Sequence, residues 1–172
     1  MFFPYHVDDE IVLTLLSPLD AEEFYALVDQ NREHLSHWFT WVDRYESVSD
    51  AVAFSTGNLG RMAELSAMSC LVWYCGHLAG LVDLLNIDRS RKRTEIGYWL
   101  GEQFQHRGIA RRAVIALIEH AFNYMDFEMI HARVNAENSR SRALLEALEF
   151  TLEERDDSVV YELTQDQWLR RS

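Results

Sequence analysis

The stretch Glu95-Ile-Gly-Tyr-Trp-Leu-Gly-Glu-Gln-Phe-Gln-His-Arg-Gly-Ile-Ala110 decides the fold. Its first half is rich in β-branched and aromatic residues and reads as the end of a strand over Arg91–Leu100. Its second half opens a helix over Arg107–Tyr124, where Ala110, Ala113, Val114, Leu117 and Ala121 form one apolar stripe. Between them lies Gln105-x-x-Gly108-x-Ala110. Small residues at 108 and 110 let a ligand come close to the backbone. The first amides of a helix have no partner within the helix, and the dipole adds partial positive charge there. A strand, a tight loop and a helix start together make a phosphate site. His106, Arg107, Arg111 and Arg112 add positive charge to it. The Gly-Lys-Ser/Thr ending of a Walker loop is missing, as is the Gly-x-Gly-x-x-Gly of a dinucleotide fold.

Working outward, Glu10–Leu16 reads as a strand. Ser17-Pro18 starts a helix with Leu19, Phe24, Leu27 and Val28 on its apolar face. Leu35, Trp38, Phe39 and Val42 follow at helical spacing, and Ser47–Leu65 is a further helix. Ala67–Tyr74 and His77–Ile87 are strands joined at Cys75-Gly76. Met129–Val134 is a strand, Ser139–Leu148 a helix, and Phe150–Arg155 and Ser158–Leu163 are closing strands. These elements predict a single α/β (α+β) domain over residues 1–172. Its central, mixed, mostly antiparallel twisted sheet has about seven strands flanked by helices.

Composition narrows the function. Sixteen Lys+Arg against 28 Asp+Glu give a net charge of −12. Nucleic acid and anionic membranes would repel such a chain, whereas a cationic acceptor would be attracted. The same charge also serves solubility alone. Cys70 and Cys75 match no zinc spacing and read as reduced, core-type thiols. The start, Met1-Phe-Phe-Pro-Tyr-His6, lacks the basic region and apolar run of an export signal, so a cytoplasmic protein is expected.

Gln105-x-x-Gly108-x-Ala110 resembles the acyl-CoA pyrophosphate loop of the GNAT N-acyltransferases. Asn138-Ser-Arg-Ser141 resembles the motif that opens the next helix in that superfamily. Glu95-Ile-Gly-Tyr-Trp-Leu100, Glu149-Phe150 and Asn31-Arg-Glu-His-Leu-Ser-His-Trp-Phe-Thr-Trp41 are similar to the Rim-type branch, the ribosomal-protein N-terminal acetyltransferases and their relatives. The resemblance covers about residues 8–168. It implies a V-shaped splay between the fourth and fifth strands, with acetyl-CoA in the cleft and no metal. Pantetheine would pair with the backbone around Trp99 and Leu100. The pyrophosphate would lie on Gln105, His106, Arg107, Gly108, Ile109, Ala110 and Arg111. Asn138 and Ser141 would border the thioester, and a strand N–H would stabilise the oxyanion.

The reaction implied is direct attack of a primary amine on the thioester. The acceptor would be a protein N-terminal α-amino group or a small-molecule amine, and the resemblance also admits a homodimer. Many members carry a tyrosine as general acid at the position of Leu145, so proton delivery falls to Ser141 or an ordered water. Glu95, on the cleft strand, and Glu153, after Phe150-Thr-Leu, compete as general base, with Glu153 preferred. The connection Glu153–Ser158 is shorter than in Rim-type chains, which opens one wall of the acceptor site. Tyr98, Trp38 and Trp41 are placed at the acceptor, although core packing explains the tryptophans equally well. His34 and His37 share a helix face but lack a third ligand. The reading from a different class is a non-catalytic acyl-CoA-binding regulatory module.

Overall fold

The computed structural model describes residues 4–155 and 158–171, with only the backbone of 154, 155 and 158 described. Its strands are β1 (Tyr5–His6), β2 (Ile11–Leu15), β3 (Met68–Tyr74), β4 (His77–Asp88), β5 (Arg93–Leu100), β6 (Met129–Val134), β7 (Thr151–Arg155) and β8 (Ser158–Thr164). Its helices are α1 (Ala21–Gln30), α2 (Arg32–Ser36), α3 (Val48–Ala63), α4 (Ile109–Tyr124), α5 (Ser139–Ala147) and α6 (Gln165–Leu169).

The strands form one sheet of eight in the order β1-β2-β3-β4-β5-β6-β8-β7. The eighth, beyond the seven expected, is β1, a two-residue pairing too short to carry an alternation signal. Every pairing is antiparallel except β5 with β6. The α4 crossover makes that exception, because parallel neighbours need a long connection.

Strand alternation splits the apolar side chains between two cores. Cys70, Val72, Val82, Leu84, Ile96 and Leu100 pack with α4 and α5 through Val114, Leu117, Ile118 and Leu145. Leu71, Leu81 and Trp99 point to the other face and pack with α1 and α3 through Phe24, Val28 and Ala51. Leu100 and Trp99 are adjacent residues in different cores, as the pleat requires.

Three local expectations differ. The Ser17 start yields a 3-10 turn over Pro18–Asp20 before α1 begins, because Asp20 closes back on Ser17 N–H and Oγ. Leu19 is left 96% exposed rather than on the apolar face. The Leu35–Val42 segment is not one helix: α2 stops at Ser36 and a second 3-10 turn spans Val42–Arg44. Its large apolar residues obey tertiary packing rather than helical period. Cys70 is buried, but Cys75 sits exposed in the turn and is not a core thiol.

Candidate functional site

The parallel β5–β6 ladder has three register pairs, the last being Glu95↔His131. Beyond it β5 continues to Leu100 and β6 to Val134 without pairing to each other, so the sheet opens into a V. Gly101 N–H bonds Ala79 carbonyl on the β4 side. Counting back by the strand alternation, Ile96, Tyr98 and Leu100 turn their N–H and C=O groups away from β4 and into the V. An unpaired strand edge therefore lines one wall of it.

At the mouth of the V stands the start of α4. Gly108 caps it in the left-handed region, with φ +71, a conformation that glycine adopts without strain. His106 is also left-handed, with φ +62. The first bond of the helix is Arg112 N–H to Gly108 carbonyl. The amides of Ile109, Ala110 and Arg111 precede it and have no acceptor within the helix. A Cβ on Gly108 would meet no atom within 4 Å, so the space above the loop is open. The cleft holds about 750 Å³ and is lined by β5, the 104–111 loop, β6 with the Asn135–Ser141 segment, and the α2 region.

The residues match the Acetyltransferase (GNAT) domain over 10–151. This chain belongs to the GNAT acetyltransferases. Its chemistry is acetyl transfer to an amine. It is 30% identical to the putative ribosomal N-acetyltransferase YdaF of Bacillus subtilis (strain 168), over 96% of this chain and 97% of that one. It is 24% identical to the ribosomal-protein-serine acetyltransferase of Escherichia coli (strain K12), over 86% of this chain and 82% of that one. Among solved structures it is similar to the microcin C7 self immunity acetyltransferase MccE in complex with acetyl-CoA and AMP. That likeness has a TM-score of 0.86 at 27% identity, covering 92% of this chain and 94% of that chain.

On this GNAT frame the structure gathers most of the predicted site residues. Trp38, Tyr98, Trp99, Leu100, Gln105, His106, Gly108, Ile109, Ala110, Arg111, Asn138 and Ser141 line the cleft. Asn138 caps α5 by accepting from Ser141 N–H at 3.0 Å. Arg107 leans the other way, its guanidinium 6.0 Å from the centre of the Tyr74 ring. Arg112 is bound by Asp8 and Glu10 at 2.8 and 2.9 Å, so its charge is already matched.

Three further predicted residues are absent from the cleft lining. Trp41 packs between Phe39, Tyr45 and Trp99 in the second core, where tilted and edge contacts of 5.2–6.1 Å hold it. It is a packing residue. Glu153 is exposed on β7 opposite Val160 of β8. The strand order sets both β8 and β6 between it and β5, so it does not reach the cleft. Glu95 sits at the vertex of the V, with its side chain 14% exposed. His131 Nε2 lies 3.3 Å from it, Arg133 Nε lies 3.5 Å away, and Asn86 Nδ2 donates at 2.9 Å. The His131 hydrogen bond, with Asn86 and the Arg133 charge, outweighs burial and holds the carboxyl below its usual range. Asn86 reaches it from a bulge in β4, where its backbone is left-handed.

Sequence reasoning missed the crossing contacts. His34, weighed earlier only as a metal ligand, meets Gln105 Nε2 at 2.7 Å, and Arg140 donates to Gln105 Oε1. His37 stands edge-on to Trp38 at 4.3 Å. No cluster of three or more His, Cys, Asp or Glu residues fit to hold a metal occurs among the described residues.

Proposed function

We propose that this GNAT chain takes its acetyl group from acetyl-CoA and delivers it to a primary amine. Preferred acceptors are α-amino groups of peptides or small molecules. The observation that carries this reading is that the β5–β6 ladder ends at Glu95↔His131 and the strand edge beyond it lines one cavity with the Gly108 start of α4. That geometry offers an unpaired strand edge for an extended amide-bearing arm and three free helix amides for its pyrophosphate. Open space over Gly108, where any side chain would intrude, fits the same group.

Bound there, acetyl-CoA supplies the acetyl group as a thioester. The protein's share of the chemistry is positioning, charge stabilisation and one proton. Backbone N–H groups of the free β5 edge are placed to receive negative charge developing on the carbonyl oxygen. Glu95, held ionised at the last β5–β6 register pair, is the proton acceptor that we assign in place of Glu153. A carboxyl below its usual range is a weak base. That suffices for an α-amino group, whose pKa of about 7.7–8.0 leaves a useful neutral fraction near pH 7, and falls short for lysine at about 10.4. The net charge of −12 draws cationic acceptors to the surface. No helix among the described residues is long and apolar enough to cross a membrane, and we place the reaction in the cytoplasm.

The experiment is acetyl-CoA turnover against a panel: peptides with a free α-amine, N-blocked lysine peptides, a polyamine and an alcohol. Mass spectrometry should find acetyl groups on α-amines first. Acetylation of internal lysines alone, of hydroxyls alone, or of nothing would refute the reading.

A further inference from the structure

Position 145 is a fully buried leucine, and a leucine offers the cleft no phenol there. A phenol nevertheless meets α5 from the opposite wall. Tyr98 Oη lies 2.8 Å from Ser141 Oγ and 3.3 Å from Ser141 carbonyl oxygen. Both side chains line the cleft. The carbonyl oxygen only accepts, so the phenol hydrogen rests on Ser141 whichever oxygen takes it. The Asn138 cap fixes the Ser141 backbone beneath this contact.

We propose that Tyr98 is a positioning residue for the leaving group: its phenol donates to Ser141 Oγ, which turns the Ser141 hydroxyl hydrogen toward the sulfur. This inference rests on the acetyl-CoA reading above. In the step, the carbon–nitrogen bond forms and the carbon–sulfur bond breaks, its electron pair staying on sulfur. The surplus amine proton leaves by Glu95 to water. The thiolate accepts a hydrogen bond from Ser141 and is protonated by solvent on release.

The magnitudes favour hydrogen bonding over outright proton transfer. Burial, aided by the neighbouring Tyr161 and opposed by the Ser141 hydrogen bond, pushes the Tyr98 phenol up to about 12. A thiol loses its proton near 8.5. A proton passed from this phenol to the thiolate would run uphill, whereas a donor that keeps its proton at every working pH stabilises the anion throughout. Tyr98 thus supplies at one remove what the missing tyrosine of α5 would supply directly.

The test is a double-mutant cycle on Tyr98→Phe and Ser141→Ala, with CoA affinity measured by calorimetry. Each single change should lower kcat by about 10–100-fold, at or below the roughly 10²–10³-fold that loss of one preorganised oxyanion donor costs. CoA affinity below the thiol's pKa should stay within about twofold, since the phosphate loop is untouched. The double variant should be no slower than Ser141→Ala, because both changes remove one hydrogen bond. A second readout needs no turnover: the thiol of CoA bound to the wild type should titrate lower than that of free CoA, and this shift should vanish in both variants. Penalties that multiply, or a Tyr98→Phe enzyme with the wild-type rate, would overturn the proposal. So would a bound thiol that titrates alike in all three proteins. A wild type inert toward every amine but still shifting the thiol would instead defeat the acceptor reading alone.

Discussion

Glu95 and His131 are the last register pair of the β5–β6 ladder, and their side chains meet at 3.3 Å on the face opposite α4. The point where the sheet stops being a sheet is thus also where an ionised carboxylate is fixed. Glu95→Gln should lower kcat by about 10²–10³-fold, within the roughly 10²–10⁴-fold that a lost proton acceptor usually costs. Glu153→Gln should stay within about twofold, since two strands separate it from the cleft. Steady-state rates of both variants with one α-amine decide the assignment, and the reverse ranking would restore Glu153.

His131 sets the pH range in which Glu95 works. It is the first cause of the lowered Glu95 pKa. A depressed carboxyl stays ionised above its folded pKa and gains its proton only as pH falls through that value. His131→Ala should therefore move the acid limb of kcat/KM to higher pH. A profile whose acid limb stays in place would show that His131 does not hold the charge.

Gly108 carries φ +71 at the first turn of α4. Gly108→Asp should abolish measurable CoA binding, because a carboxylate would meet the pyrophosphate on the free amides. The left-handed backbone adds about 1–2 kcal/mol of strain for a residue with a Cβ. The fold should persist, because the position is exposed. Calorimetry on the folded variant tests this, and an unchanged affinity would remove the loop from the site.

Gly80 faces Leu100 across β4–β5, and a Cβ there would collide with the Trp99 carbonyl oxygen and lie 2.9 Å from Leu100 Cα. Gly80→Ala should push β5 off β4, destabilising by roughly 1–3 kcal/mol, as overpacked cores do. CoA affinity should fall with it, because the displaced strand is the cleft wall. A urea midpoint and a CoA affinity both equal to wild type would contradict this.

Asp83 pairs with Gly97 in the cleft strand, and its Oδ1 is buried without a partner among the described residues. Burial pushes its carboxyl up to about 7, against the lowering effects of Ser69 and Arg61. Between about pH 4 and pH 7 the folded state holds a proton that the unfolded chain has released, so stability declines as pH rises through that window. Asp83→Asn should flatten the slope and gain about 2–4 kcal/mol at pH 7. Thermal unfolding across pH measures it, and parallel curves for the two proteins would exclude the buried proton.

The strand–loop–helix junction was legible because its signals are local. A strand end, small residues and a helix start fall within sixteen residues from Glu95 to Ala110. Glu153 was misplaced because sequence order is not strand order: β8 inserts between β6 and β7, and nothing in Phe150–Arg155 announces that its neighbour will arrive from later in the chain. The Trp38/Trp41 ambiguity had the same origin. Three residues apart on a helix they would share a face, but the chain leaves helical geometry after Ser36, sending one ring to the cleft and the other to the core. The Tyr98–Ser141 contact spans 43 residues and joins two elements whose spacing only the splayed sheet defines.

Gln105 is gripped from both banks of the cleft, by His34 of α2 and Arg140 of α5. On the proposed reading, the loop that would receive the nucleotide end of the donor is therefore also a tie-rod for the wall beside Trp38. Any rearrangement of that amide when the donor arrives must be felt by α2. By thermodynamic reciprocity, the acceptor then changes donor affinity by the same factor that the donor changes acceptor affinity. On the function proposed above, a single side chain in this position couples the donor and acceptor sites without a moving domain.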